Sequence, residues 1–120
     1  MGGRQASGLD IFLPECLDHY VRNLGDPNIV HAMCQDYRAS ASLDMDEARE
    51  DIKNKRLIQC PLMVIWGRHG VIEKCFDALQ EWRNVTKAGV SVDGHSVDSG
   101  HYVPEQAPDE IVKAINVFFL

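Results

Sequence analysis

In Ser99-Gly100-His101-Tyr102-Val103-Pro104-Glu105 an imidazole follows a glycine and precedes a Pro-Glu pair that opens an apolar-periodic run to Leu120. Glycine permits a tight turn just ahead of the ring, and Pro104 suits a helix's first turn, where no donor N–H is required. The spacing predicts His101 on a loop at the lip of the following helix. Loops anchored on rigid elements are where chemistry concentrates, and histidine takes and returns a proton near neutral pH. The chemistry on offer is that of a general base, and the plainer alternative is a surface histidine near a helix start. His69 and His95 compete as bases, but neither precedes a proline-opened helix, and both read as exposed loop or strand-edge residues.

The elements that must position such a histidine are legible around it. Cys60-Pro61-Leu62-Met63-Val64-Ile65-Trp66-Gly67 is a short apolar run behind a proline and closed by glycine, the pattern of a strand buried on both faces of a parallel sheet. Residues 72 to 84 predict one helix, with Ile72, Cys75, Phe76, Leu79 and Trp82 at spacings of three and four. Val90 to Val97 predicts a second strand, and Ile111, Val112, Ile115, Phe118 and Phe119 give a last helix its apolar face. Strand, helix, strand, histidine loop and helix make a parallel crossover with a functional loop at a strand's carboxyl end.

The first half differs in kind. Leu13 to Leu24, Pro27 to Ala41 and Asp44 to Lys55 predict three helices, with Pro14 in a first turn, Asp26-Pro27 as cap and proline, and Leu43-Asp44 as a polar restart. Leu17, Tyr20, Val21, Leu24, Val30, Met33 and Cys34 form stripes, and a stripe must be buried against something. Helices leading into a sheet half suggest a lid on a catalytic domain.

Composition narrows the function classes. A net charge of −6 without a basic cluster argues against a nucleic-acid surface. No apolar stretch approaches the ~20 residues of a membrane span and no charged-then-apolar leader is present, so the expectation is a cytoplasmic chain. Cys16, Cys34, Cys60 and Cys75 show neither CxxC nor Cys/His ligand spacing, and three of them are expected to be buried thiols in a reducing compartment.

Several runs, in order, carry a more specific likeness. Gly8-Leu9-Asp10-Ile11-Phe12 comes first, then Asp26-Pro27, then Val30-His31-Ala32-Met33-Cys34-Gln35-Asp36-Tyr37-Arg38-Ala39. Cys60-Pro61-Leu62 through Trp66-Gly67, Gly70-Val71-Ile72, Cys75-Phe76-Asp77 and Gly100-His101-Tyr102-Val103-Pro104-Glu105 with Ala107-Pro108 follow. Together they resemble the haloacetate (fluoroacetate) dehalogenases of the α/β-hydrolase superfamily, with His-Ala-Met-Cys and Asp-Tyr-Arg as the most distinctive part.

The resemblance implies an α/β fold: residues 1 to about 57 as part of a helical cap, and 58 to 120 as the last two strands and helices of the core domain. It implies hydrolytic carbon–halogen cleavage, in which an aspartate displaces halide and a histidine-activated water hydrolyses the resulting ester, without metal or organic cofactor. His101 matches that catalytic histidine. Tyr37 matches a cap tyrosine whose phenolic hydrogen is donated to the departing halide; the plainer alternative is a packing residue between cap and core. His31 and Cys34 are expected inside the cap.

The same resemblance marks departures. No Gly-x-Asp-x-Gly or Gly-x-Ser-x-Gly elbow occurs in the 120 residues, so the chain reads as a fragment whose nucleophile lies elsewhere, with no fold signal in Met1-Gly2-Gly3-Arg4. Many α/β-hydrolases place the carboxylate that orients the histidine about three residues after a Trp-Gly pair; here that position is Gly70. The dehalogenases draw it from an earlier strand, so Gly70 suits them better than an epoxide hydrolase or esterase. Asp77 could substitute only if its loop bends toward His101, and otherwise reads as a solvated helix residue. The implied partner is a small haloacid substrate, with no nucleic acid and no membrane. The alternative is a non-catalytic remnant or interaction module, self-associating through an exposed strand edge.

Overall fold

The computed structural model describes residues 8–120, and the Met1-Gly2-Gly3-Arg4 stretch lies outside them. Leu13–Leu57 form one compact unit and the other described residues a second.

The helical unit consists of α1 (Pro14–Leu24), α2 (Pro27–Ser40) and α3 (Leu43–Lys53), α1 packing on α2 and α2 on α3. Pro14 and Pro27 stand in first turns, as their missing N–H and fixed φ favour. Asp26 caps α2, its Oδ1 accepting the Asn28 N–H at 2.8 Å. Ser42 precedes α3, but its hydroxyl donates back to the Arg38 carbonyl at 2.7 Å and leaves the new helix without a side-chain cap. The predicted stripes form yet bury nothing fully: no residue of the three helices is buried, and Val21, Leu24 and Met33 remain exposed. His31 and Cys34, expected inside the cap, are exposed as well, His31 sharing a 3.1 Å hydrogen bond with the Gln35 side chain.

The second unit contains β1 (Leu62–Gly67), α4 (Val71–Cys75), α5 (Ala78–Asn84), β2 (Val92–Val97), α6 (Val103–Gln106) and α7 (Pro108–Phe119). β1 and β2 pair in parallel, Leu62 opposite Val92 through Gly67 opposite Val97, and an isolated parallel bridge joins Ile58 to Thr86. α4 and α7 pack on β1 and α5 on β2. The core is small: Ala78, Val92, Val97 and Ala114 are its buried apolar residues.

Several expectations are corrected. The helix expected over 72–84 is two helices, because Phe76 is extended (φ −137°, ψ 147°) and Asp77 starts α5 by accepting the Gln80 N–H at 3.0 Å. The strand expected from Val90 begins at Val92, since Gly89 adopts φ +89° and the Val90 N–H closes a turn onto the Lys87 carbonyl. The final helical run is interrupted at Ala107, with Pro108 opening α7. β1, expected buried on both faces, is half-buried from Leu62 to Trp66. Its sheet has two strands among the described residues, so one edge of β1 has no strand beside it. Cys34, Cys60 and Cys75 are exposed and Cys16 half-buried, so the expectation of buried thiols fails. Among the described residues no helix is long and apolar enough to cross a membrane.

Candidate functional site

The register brings Gly67 opposite Val97, so β1 and β2 release their chains side by side at their carboxyl ends. Two loops leave this point: Arg68–Gly70 toward α4, and Asp98–Tyr102 toward α6. They are bonded to one another at several atoms. The Arg68 N–H donates to the Val97 carbonyl at 2.9 Å, and the His69 N–H to the Ser99 carbonyl at 3.0 Å. His69 Nε2 lies 2.8 Å from Asp98 Oδ1, a histidine–carboxylate hydrogen bond between residues 29 apart in sequence.

Close backbone approach leaves no room for side chains at two positions, one at the strand-end loops and one within the sheet. A Cβ added at Gly67 would overlap the Gly100 carbonyl, and one at Gly94 would overlap the Val64 carbonyl in the neighbouring strand. Ser99 is fully buried, and its hydroxyl has no hydrogen-bond partner among the described residues. The Gly100 N–H donates to Gln106 Oε1 at 2.8 Å, tying the turn to α6.

His101 emerges from this frame as an exposed residue ahead of α6, whose first turn contains Pro104. Its ring meets Tyr102 edge-on at a centroid distance of 5.0 Å, and Tyr102 in turn meets Phe12 edge-on at 5.2 Å. The backbone on either side of His101 is thus held by hydrogen bonds before it and aromatic contact after it. Asp77 is exposed, as its reading as a solvated helix residue anticipates, and its carboxylate is occupied as the α5 cap. Gly70 sits at the start of α4 and donates its N–H to the Gly67 carbonyl at 2.9 Å.

Tyr37 lies on α2 in the helical unit, 77% exposed, while His101 belongs to the strand-containing unit. His95 is exposed on β2, as its strand-edge reading anticipates. His69 departs from the plain exposed-loop reading, because its ring nitrogen is committed to Asp98. That pair escaped sequence reasoning although a signal exists: His69 and Asp98 stand two and one residues beyond the ends of strands that run parallel in register.

Grooves mark the surface of the unit. An apolar groove of about 720 Å³ runs along β1, bounded by Val64, Trp66, Ile72, Phe76 and Trp82, with Trp66 Nε1 donating to Glu73 at one end. A polar groove of about 500 Å³ is lined by Arg68, His95, Asp98 and Glu110. His101 lines neither groove. Among the described residues no three His, Cys, Asp or Glu side chains converge as metal ligands.

No protein-family model matches the chain. A fluoroacetate dehalogenase from Burkholderia sp is 29% identical over 116 residues, 97% of this chain and 36% of that protein. A crystal structure of a Salmonella enterica protein named as a candidate acyltransferase superposes with a TM-score of 0.76 at 27% identity, over 90% of this chain and 34% of that one. The chain spans about a third of the length of each. It is a distant homologue of fluoroacetate dehalogenase with an α/β-hydrolase-like relationship, and its helices and two-stranded parallel sheet are consistent with a portion of that fold.

Proposed function

We propose that this chain carries the histidine-loop portion of a haloacetate dehalogenase-like hydrolase: 1–57 from a helical cap and 58–120 from the end of the core domain. The observation that carries the proposal is His101, held on a braced loop at the carboxyl end of β2, within a chain similar along nearly its whole length to fluoroacetate dehalogenase. In this reading His101 is the general base that deprotonates water beside an aspartyl ester, and Tyr37 donates its O–H to departing halide. The reaction uses no metal or organic cofactor, its substrate is a small haloacid, and the setting is cytoplasmic. Neither nucleic acid nor membrane is a partner, and the open edge of β1 is where copies of the chain associate.

The 120 residues contain a base but no nucleophile elbow, so the chain alone is inactive. Purified protein should release no halide from a haloacetate above buffer controls. Fused behind the nucleophile-bearing half of the Burkholderia relative, it should turn over, and His101→Ala should then stall ester hydrolysis and trap a covalent adduct visible by intact mass. Loss of the first halide burst with no adduct would remove His101 from this role. The likeness to the Salmonella structure favours acyl transfer as a second reading. There too a histidine base is needed, and transfer of an acyl group by the fused protein, without dehalogenation, would select that reading.

A further inference from the structure

His101 is exposed, and its ring contact is with its neighbour Tyr102, yet the turn that presents it is tightly made. The side-chain bond joining that turn to the other strand-end loop is the 2.8 Å contact between His69 Nε2 and Asp98 Oδ1. It is reinforced by the His69 N–H on the Ser99 carbonyl, so one residue of the β1 loop grips two consecutive residues of the histidine loop. Its grip begins three residues before His101, and the Gln106 side chain holds the Gly100 N–H from the other direction. With Gly67 and Gly100 in close backbone approach, a shift of one loop must move the other.

We propose that His69 and Asp98 form a clasp across the two strand-end loops and that His69 is thereby a positioning residue for His101. The inference rests on the reading of His101 as the functional base, but it concerns only where that ring is held. An ionised carboxylate can only accept, so in this bond His69 Nε2–H donates to Asp98 Oδ1. A carboxylate acceptor makes the bond stronger than a neutral one, while exposures of 41% and 52% for the two side chains weaken it toward the surface range. The clasp should therefore slow loop opening by about three- to fivefold, and should not govern the stability of the unit.

The test uses the 120-residue chain and two readouts: histidine ring signals by NMR, assigned by single substitutions among the five histidines, and amide hydrogen exchange at residues 99–100 against residues 63–66 of β1. His69→Ala should move or broaden the His101 ring signal and speed exchange of the Gly100 amide about three- to fivefold, with β1 protection unchanged. Asp98→Ala should do the same, and the double variant should do no more than either single one. His69→Gln, which restores an N–H donor, should return both readouts toward wild type, and His95→Ala should change neither.

Unchanged His101 signals and Gly100 exchange in His69→Ala would overturn the proposal. Should that variant lose sheet protection, Asp98→Ser replaces it; loss of sheet protection in both also overturns the proposal, because the pair then holds the sheet and not the loop. No substrate enters these readouts. A clasp that holds while the fused His101→Ala protein traps no adduct leaves the positioning intact and removes the base, and the converse outcome does the reverse.

Discussion

Side-chain hydrogen bonding in the helical unit is local: Asp26 to Asn28, His31 to Gln35, Ser42 to Arg38 and Arg56 to Asp51 reach two to five residues along the chain. The strand-containing unit has local bonds too, Asp77 to Gln80 and Thr86 to Trp82 among them, but there Arg68 to Ser96 and His69 to Asp98 also bridge distant segments. The difference decides what each unit can do alone. The local bonds named set helix ends and tie neighbouring turns, and no residue of α1, α2 or α3 is buried. Parallel pairing aligns two chain exits, so a loop residue is fixed from both sides and becomes a platform for chemistry.

The largest break in this comparison should come from Gly67. A methyl there collides with the Gly100 carbonyl, which is backbone and cannot rotate away, so both strand-end loops must move. Gly67→Ala should destabilise the strand-containing unit by about 3 kcal/mol, the upper part of the range for overpacking. Exchange protection of β1 and β2 should collapse while that of α1–α3 amides stays as in wild type. Equal loss in both units would show that their stabilities are coupled and that the local-versus-distant contrast is superficial.

That contrast also explains how far the sequence could be read. α1 and α2 were legible because proline placement and the Asp26 cap are local signals that local bonds then realise. Strand identity at Leu62–Gly67 was legible from its continuous apolar run, but its burial was not, because burial depends on a strand beside it that these residues do not supply. The break at Phe76–Asp77 was hidden because apolar spacing of three and four survives across it; the competing signal was Asp77 itself, a residue type that caps helices. For the site, the Gly-His turn and Pro104 announced the loop. The His69–Asp98 bond depends on register, which neither local segment encodes by itself.

The next effect tests the open edge of β1. Half-buried apolar residues line a groove there, and an unpaired edge of this kind invites another strand. Light scattering coupled to size exclusion should find oligomers at micromolar concentration. Val64→Lys should weaken association about tenfold, since pairing would then strip water from an unpartnered ammonium. A cooperatively melting wild-type monomer at that concentration would contradict the association proposal.

Within the helical unit the effects should be smaller and should stay local. Asp26→Ala removes the acceptor for the Asn28 N–H and should cost about 1 kcal/mol of helix stability. Amides in the first turn of α2 should exchange faster, while the Gly100 amide and the His101 ring signal remain at their wild-type positions. A change at Gly100 would mean that a cap in one unit is felt in the loop of the other.

The smallest predicted effect is a gain, at the end of α3. Asn54 closes that helix, Lys55 follows at φ 55°, the Lys55 N–H returns to the Ile52 carbonyl and the Arg56 N–H to the Asp51 carbonyl at 2.9 Å. This is the hydrogen-bond pattern of a Schellman ending, with lysine at the left-handed position that glycine ordinarily fills. A residue with a Cβ is strained there by roughly 1–2 kcal/mol, whereas glycine carries a cost of roughly 0.5–1 kcal/mol from its freer unfolded chain. Lys55→Gly should therefore stabilise the helical unit by about 0.5 kcal/mol, seen as a small rise in its melting temperature and slower exchange of the Arg56 amide. The Arg56 pairing to Asp51 at 2.6 Å is half-exposed on both sides and should survive, because the change relieves the backbone that presents it. Destabilisation would show that the Lys55 side chain contributes more than its backbone strain removes, and that even this most local part of the molecule is governed by contacts outside its own turn.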